Sequence, residues 1–342
     1  MKSDRSSKYL VGTWTFTDPD RPQGTPLHTL DVSGPPEITE LDNPAAAVYY
    51  GVVEPGARSM LLLHNDLDRS AMSRQAWDGS GRLVEQGRWS SGGEGGSYIA
   101  FDQTGRYFAV ANAKTGWAVF RNGEEPDLIA QLRNEGSGPH ARQARSHPHC
   151  VIFTPDNRWV VATDMGADEV LAFPFDAETG AVGQKILAYR ARPGSGPRHI
   201  LFHRRVAYLL NELGNTLVVL RPCEDGLFAE MQVVETLPAD FAGESHTAHL
   251  GVGPSENLLL ASNRGHDSIA SFVLAEDGLV SERRWSASGG KWPWFFAVTE
   301  TGALLVANTL SNRINTLGFD GGGGFVEVGS GAVRSPVFLA RF

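Results

Sequence analysis

The chain has 342 residues, of which 30 are basic and 39 are acidic, so its formal net charge is −9. This balance argues against a nucleic-acid partner, because neutralising a phosphate backbone requires a basic face. No apolar run approaches the roughly 18 residues of a membrane span, and the opening MKSDRSSKYL contains no apolar signal core. Cys150 and Cys223 are the only cysteines, too few for a disulfide framework. We therefore expect a cytoplasmic protein that binds neither nucleic acid nor membrane.

Short apolar strands separated by Gly, Pro, Asn and Asp turns follow one another along the chain. The first, KYLVGTWTF, covers residues 8–16. A unit of three strands then recurs, and its copies begin at Val48, Tyr98, Cys150, His199, His249 and Phe295. The stretch DGGGG, residues 320–324, predicts a hairpin loop, and SPVFLARF, residues 335–342, predicts a last strand.

The copies share a polar residue that closes the second strand. It falls at Asn65, Asn112, Asp164, Asn211, Asn263 and Asn308. The spacing of about 45–52 residues fits a propeller blade with three visible strands and a variable fourth. Six copies are visible, and pairing of the two terminal strands supplies a seventh. The sequence thus predicts an all-β, seven-bladed β-propeller, one domain over residues 1–342, closed by its N- and C-terminal strands in one blade, which removes exposed edges.

Propeller topology brings two kinds of chain position to one mouth of the central channel. The first strand of each blade starts at one face of the disc, and the turn from the second to the third strand returns to that face. Three consecutive copies carry polar residues at their strand starts, namely His147, His149, Arg198, His199, His246 and His249. Their turns carry Asp164, Asn211, Glu212, Asn263, Arg264, His266 and Asp267. Polar groups that converge in a concave mouth predict a ligand-binding site.

Several of these segments resemble one enzyme family. GPHARQARSHPH, with its Arg142–Gln143 pair, GPRHILFH, AYLLNEL and NRGHDS are similar to segments of the bacterial 6-phosphogluconolactonase/3-carboxymuconate cyclase family. The resemblance covers nearly the whole chain. It is strongest from about residue 136 to residue 320 and weak between residues 17 and 92. It implies a seven-bladed propeller, in agreement with the repeat.

The resemblance also implies a site and a reaction. The catalytic candidates are His149, Arg198, Glu212 and Arg264, and the substrate-binding candidates are Arg142, His147, His199, Asn211, His249 and Trp294. The implied activity is hydrolysis of an anionic lactone in carbohydrate metabolism. The implied partner is a small-molecule lactone or its open-chain acid, with no cofactor and no metal.

One position departs from the family pattern. Members close to the sugar-phosphate enzyme tend to have Pro-Arg where this sequence has KWPWFF, with Trp294 in place of the arginine. The change removes a cation and adds an aromatic surface. The substrate could therefore be a more apolar or aromatic-derived lactone instead of a phosphorylated sugar.

The chemistry of lactone opening explains these residue types. Water must lose a proton to a base, and donors must stabilise the charge that grows on the carbonyl oxygen. Arginine also grips carboxylate or phosphate with two parallel hydrogen bonds. Arginines beside Glu212 would lower the pKa of its carboxyl. Glu212 and a neutral histidine therefore both remain candidates for the base.

Three alternatives accompany this interpretation. A carboxymuconate-type cyclase, an isomerase, would form a lactone with the same groups. A non-catalytic propeller would bind a protein or peptide and need no polar mouth. The HPHC segment offers metal ligands, but its spacing is poor for zinc and nearby arginines oppose a cation, so no metal is expected.

Overall fold

The structure is a computed structural model that describes residues 7–14, 27–41, 48–66, 69–80 and 82–342. In these residues the chain forms seven antiparallel sheets of four strands each. We number as blades 1 to 6 the six sheets formed by consecutive strands, and as blade 7 the sheet that contains both ends of the chain. The prediction of a seven-bladed propeller is confirmed.

The strands have the following bounds. The first three are β1 (Lys8–Thr13), β2 (Leu27–Asp31) and β3 (Glu37–Glu40). Blade 1 contains β4 (Val48–Val53), β5 (Ser59–Asp66), β6 (Arg69–Trp77) and β7 (Leu83–Ser90), and blade 2 contains β8 (Gly96–Phe101), β9 (Tyr107–Asn112), β10 (Gly116–Arg121) and β11 (Asp127–Leu132). Blade 3 contains β12 (Pro148–Phe153), β13 (Trp159–Asp164), β14 (Glu169–Pro174) and β15 (Ile186–Arg190), and blade 4 contains β16 (Pro197–His203), β17 (Val206–Asn211), β18 (Thr216–Pro222) and β19 (Phe228–Glu235). Blade 5 contains β20 (His246–Val252), β21 (Leu258–Arg264), β22 (Ser268–Leu274) and β23 (Val280–Ala287). Blade 6 contains β24 (Pro293–Val298), β25 (Leu304–Asn308), β26 (Arg313–Phe319) and β27 (Phe325–Ala332), with a 3-10 turn at Thr309–Ser311, and β28 (Pro336–Arg341) ends the chain.

The two ends of the chain close the ring in blade 7. There β28 is the first strand and pairs antiparallel with β1, with Tyr9 opposite Arg341 and Gly12 opposite Phe338. This confirms the predicted pairing of the terminal strands. The predicted strand of residues 8–16 ends at Thr13, and its last two residues lie outside the described ones.

Burial explains why the strands read as they do in the sequence. The second strands β9, β17, β21 and β25 are buried along their whole length, because a neighbouring blade covers each of their two faces. They therefore appear as continuous apolar runs. The outermost strands β7 and β27 alternate between exposed and less exposed residues, as expected for one solvated face.

The polar residue that closes each second strand has a structural role. Asn112, Asn263 and Asn308 are buried and donate their side-chain amides to the main chain of the segment that enters the first strand of their own blade, at Ser91, Thr236 and Ser288. Buried polar side chains need such partners. In blades 2, 5 and 6 the residue that reveals the repeat thus fastens the second strand to its entry loop.

The first strands of neighbouring blades contact one another around the ring and form the wall of the channel. Their starts and the second-to-third turns lie at one face, as the topology predicts. The predicted loop of residues 320–324 is confirmed as the β26–β27 hairpin, on the outside of blade 6. There the Asp320 side chain accepts backbone N–H bonds from Gly322 and Gly324, at 2.7 and 2.8 Å.

Candidate functional site

A cleft of about 220 Å³ opens where the first strands begin. All seven blades contribute to its wall, so it is the mouth of the central channel. The lining residues are Trp14, Tyr49, Gly95, Ser97, Ala113, Arg142, His147, His149, Arg198, Glu212, Arg264 and Trp294. The structure thus brings seven sequence-predicted residues together here: Arg142, His147, His149, Arg198, Glu212, Arg264 and Trp294. A larger groove of about 710 Å³ lies on the opposite face, among turns that include Arg158 and Arg204.

Irregular strand pairing turns side chains into this cleft. The register between first and second strands shifts at Tyr49, Ser97, His149, Arg198 and Trp294. A bulge of this kind re-aims a side chain, and all five residues line the cleft. Sequence reasoning missed Tyr49 and Ser97. The available signal was their place in the repeat: Ser97 directly precedes its copy, as His149, Arg198 and Trp294 do, and Tyr49 is the second residue of its copy.

Glu212 is the centre of the site. It follows β17 in the turn to β18, and its carboxylate is almost fully buried. Arg198 Nε donates a hydrogen bond of 2.7 Å to its Oε2. Arg142 Nη1 and Arg264 Nη2 lie 2.6 and 2.9 Å from its Oε1. A guanidinium group has five N–H donors, so Arg142 and Arg264 keep donors for a ligand while they pair with Glu212.

The three arginines differ in exposure. The side chains of Arg198 and Arg264 are 3% and 5% exposed, whereas that of Arg142 is 44% exposed. Arg264 also donates to the carbonyl of Thr247 at 2.9 Å, and this bond holds its guanidinium group in place. Arg142 belongs to the loop between β11 and β12 and reaches Glu212 from the rim. It is the arginine that an entering ligand meets first.

The charges of the cluster do not balance. Burial alone would raise the pKa of Glu212, but Arg264, Arg198 and Arg142 outweigh burial and hold it well below its usual range. Glu212 is therefore ionised and a weak base. Three guanidinium groups against one carboxylate leave an excess of positive charge, and two of the three, those of Arg198 and Arg264, are buried. Buried charge of this kind calls for a counter-anion.

Aromatic rings form the wall beside the arginines. The Arg264 guanidinium lies 4.7 Å from the ring centroid of Trp294, and that of Arg198 lies 6.0 Å from it. Trp14 and Tyr49 pack edge-on against Trp294, at centroid distances of 4.8 and 5.9 Å. Such rings favour a neighbouring cation. Trp14, another residue missed from the sequence, follows the second strand of blade 7, where the topology rule places mouth residues.

A column of histidines runs from the mouth into the channel. The ring centroids of His147 and His149 are 6.2 Å apart, and those of His149, His199 and His249 follow at 5.5 Å intervals. Arg198 Nη1 lies 2.7 Å from His199 Nε2 and donates to it, since arginine has no acceptor. His149 is buried, and its Nδ1 has no hydrogen-bond partner among the described residues. Burial, reinforced by Arg198, holds the pKa of His149 well below 6.5, so its ring is neutral.

Three predicted residues lie elsewhere. His199 and His249 stand deeper in the channel, below the lining of the cleft. Asn211 is directed away from the mouth: its side-chain amide donates to Thr216 Oγ1 at 2.9 Å, and it borders a separate pocket with Gly194. Its neighbour Glu212 takes the opposite direction.

No group of three or more His, Cys, Asp or Glu side chains in the described part of the chain is placed to hold a metal ion. The Nε2 atom of His199 is already occupied by Arg198. No helix among the described residues has the length and apolar character of a membrane span.

The buried histidines predict a pH-dependent stability, and His249 makes it measurable. Burial, with a contribution from Arg198, lowers the pKa of His249 to about 3. Between pH 6.5 and 3 the unfolded chain holds a proton on this residue that the folded chain lacks. The free energy of unfolding therefore decreases as the pH is lowered through that window. From pH 6.5 to 5 this residue should cost about 2 kcal/mol of unfolding free energy. Urea unfolding of His249→Gln at both pH values should show a loss smaller by that amount, and equal losses in the two proteins would contradict the assignment.

Comparison with known proteins agrees with this architecture. The chain matches the family described as "Lactonase, 7-bladed beta-propeller" over residues 9–338. It is 35% identical over 239 residues to an uncharacterized protein of Staphylococcus saprophyticus, covering 67% of this chain and 68% of the relative. It is 31% identical over 220 residues to the 6-phosphogluconolactonase of Bacillus subtilis, covering 62% of each, so slightly less than two thirds of that relative is spanned. The crystal structure of a putative 6-phosphogluconolactonase from Bacteroides fragilis superimposes with a TM-score of 0.83 at 26% identity, covering 99% of both chains. The chain belongs to the lactonase family of seven-bladed β-propellers.

Proposed function

We propose that this protein is a lactone hydrolase of the 6-phosphogluconolactonase type, which opens an anionic sugar-acid lactone with an activated water. The observation that carries the proposal is the uncompensated charge of the cluster: Arg142, Arg198 and Arg264 surround the single carboxylate of Glu212. The anionic group of a substrate would supply the missing negative charge. Membership of the lactonase family supports the reaction class.

The proposed roles follow from position. Arg142, at the rim, and Arg264, beside Trp294, hold the anionic group of the lactone. Arg198, buried and fixed by Glu212, is a donor for the negative charge that develops on the carbonyl oxygen. Fixed donors in a buried site contribute a few kcal/mol to lowering the barrier, because they need no reorganisation during the reaction. Glu212 orients the arginines and keeps its charge throughout.

His149 is the proposed base. It lines the cleft and is neutral, so it can accept a proton there. It takes a proton from water as the water oxygen bonds to the carbonyl carbon. The ring C–O bond then breaks, and the proton passes from His149 to the departing ring oxygen. A bound anion offsets the field of Arg198 and so makes His149 a stronger base in the complex than in the free protein.

The aromatic wall favours a second candidate substrate. Trp294, Trp14 and Tyr49 offer a flat apolar surface where a further cation is expected in sugar-phosphate enzymes of the family. A lactone derived from an aromatic ring, or its unsaturated open-chain acid in a cyclase reaction, would pack on this surface. Assays in both directions separate hydrolysis from cyclisation.

A panel of lactones tests the proposal. Ring opening should exceed the spontaneous rate for 6-phosphogluconolactone or another anionic lactone, and kcat/KM should be lower for a neutral lactone of the same ring size. Arg142→Gln should raise KM for the anionic lactone about tenfold with a small change in kcat, as expected when a binding contact is lost. Arg145→Gln, an exposed residue of the same loop outside the cleft lining, is the matched control. Failure to open any lactone of the panel would overturn the proposal.

The cysteines support the proposed location. Cys150 is buried and Cys223 is exposed, and both are free thiols. Free thiols suit a reducing compartment. The cytoplasm is therefore the location proposed for this activity.

A further inference from the structure

Outside the cleft, one buried carboxylate connects the segments that carry the cluster. Asp168 lies in the turn between β13 and β14 and is 4% exposed. Its φ of 57° is left-handed, a conformation that Asp and Asn tolerate better than most residues. It lines neither the cleft nor the opposite groove. Its two oxygens accept three hydrogen bonds, and each comes from a segment leading to a cleft residue.

The first bond fixes the loop of Arg142. Asp168 Oδ1 accepts a bond of 2.7 Å from the side-chain amide of Gln143, the residue after Arg142. Gln143 is fully buried and also donates to the carbonyl of Met165 at 2.8 Å. Its Oε1 accepts from the backbone N–H of His140 at 3.1 Å. The half-exposed Arg142 thus directly precedes in sequence a residue whose side chain is anchored.

The other two bonds fix the segment before β16. The backbone N–H of Gly196 donates to Asp168 Oδ1, and that of Gly194 donates to Oδ2, each at 2.7 Å. The carbonyl of Gly196 accepts the backbone N–H of Glu212 at 2.8 Å. Arg198 follows two residues later. Asp168 therefore anchors the main chain next to all three residues of the Arg142–Glu212 and Arg198–Glu212 ion pairs.

We infer that Asp168, acting through Gln143, Gly194 and Gly196, is a positioning residue that sets Arg142 and Arg198 against Glu212 and so determines the affinity of the mouth for anionic substrate. The inference rests on the proposed function for its kinetic consequences. Its geometric content, the placement of Arg142, does not depend on it.

The same arrangement occurs two blades further on. Asp267 stands in the corresponding turn of blade 5, with a φ of 57°. Its Oδ1 accepts the backbone N–H of Trp292 at 2.7 Å, just before the strand that carries Trp294. An aspartate at this turn position thus anchors the entry to the next first strand in both blades. In blade 3 the aspartate, Asp168, also accepts the side-chain bond from Gln143.

Asp168→Asn is the main test, since asparagine keeps the left-handed backbone and the size of the side chain. Its amide nitrogen cannot accept the bond from Gly194 if its oxygen stays on Gln143 and Gly196. KM for the anionic lactone should rise about tenfold, with little change for a neutral lactone. Gln143→Met, which removes the side-chain bonds of Gln143 to Asp168, Met165 and His140, should raise the same KM while leaving the Gly194 and Gly196 bonds in place.

Asp102→Asn is the matched control. Asp102 is buried, lies in the β8–β9 turn on the opposite face, and accepts bonds from backbone amides and from Asn157 of the next blade. It should lower the melting temperature as Asp168→Asn does and leave KM unchanged. An equal KM in the Asp168 and Asp102 variants would overturn the inference.

A double-mutant cycle separates positioning from general loosening. In an Arg142→Gln background, Asp168→Asn should raise KM by less than it does in the wild-type background, because the part of its effect that acts through the Arg142 guanidinium is already lost. A fully additive rise would contradict the inference. If the wild-type protein opens no lactone, the proposed function fails and a crystal structure of Asp168→Asn decides the positioning inference alone. Loss of the Arg142–Glu212 contact would support it, and retention of that contact would overturn it.

Discussion

Replacing Glu212 by Gln is expected to lower the free energy of unfolding by about 3–5 kcal/mol, because breaking a buried ion pair leaves uncompensated charge. Glutamine keeps the volume of the side chain and one acceptor. The substitution removes the only carboxylate among the described residues that pairs with Arg198 or Arg264, whose side chains are almost fully buried. Since domains are stable by about 5–15 kcal/mol, the variant should still fold at low temperature.

Urea unfolding at pH 7.5 measures this effect. Glu85→Gln is the control, because Glu85 pairs with Arg88 at the surface of blade 1, where an ion pair contributes at most about 1 kcal/mol. Added phosphate should restore part of the stability of the Glu212 variant, since an anion bound to the folded state stabilises it by mass action. A Glu212→Gln protein as stable as the Glu85 variant would show that the cluster is not a buried charge network.

Replacing His149 by Gln is expected to reduce kcat for the anionic lactone by roughly 10²–10⁴, the usual contribution of a general base. KM should change little, because the arginines that bind the anion are untouched. Initial rates of acid release in a pH-stat, corrected for spontaneous opening, measure the loss. Burial, then Arg198, lowers the pKa of His149 well below 6.5, so the wild-type rate should not fall as pH is lowered from 7.5 to 6.5.

His203→Gln serves as the control for this variant. His203 lies at the end of β16 on the opposite face, where its ring bonds the carbonyl of Glu256. It should keep full activity. A His149→Gln protein with a wild-type kcat would remove this residue from the mechanism and return the role of base to His147, the other histidine of the lining.

The fold could be predicted because its signals are periodic. Strands buried on both faces read as apolar runs, and Asn112, Asn263 and Asn308 recur at blade length because each donates to the main chain of its own entry loop. Ring closure followed from counting the copies and finding two unpaired terminal strands. Topology alone then placed Arg198 and Glu212 at one mouth.

The orientation of individual side chains could not be predicted in the same way. Asn211 and Glu212 are adjacent, yet Asn211 ends β17 and bonds within its own hairpin, whereas Glu212 lies in the turn and enters the cleft. The contact of Arg142 with Glu212 depends on a loop anchored by Gln143 and Asp168, and no local pattern indicates it. Tyr49 was missed because it carries no charge, although it occupies a bulge position of the repeat.

The most direct measurement of the central claim is the position of a bound open-chain acid, such as gluconate, in a crystal of the wild-type protein. The carboxylate should lie within hydrogen-bond distance of Arg142 or Arg264, with the rest of the molecule between Trp294 and His149. Gluconate bound only elsewhere, for example in the groove near Arg158 and Arg204 on the opposite face, would contradict the assignment of the mouth as the lactone site.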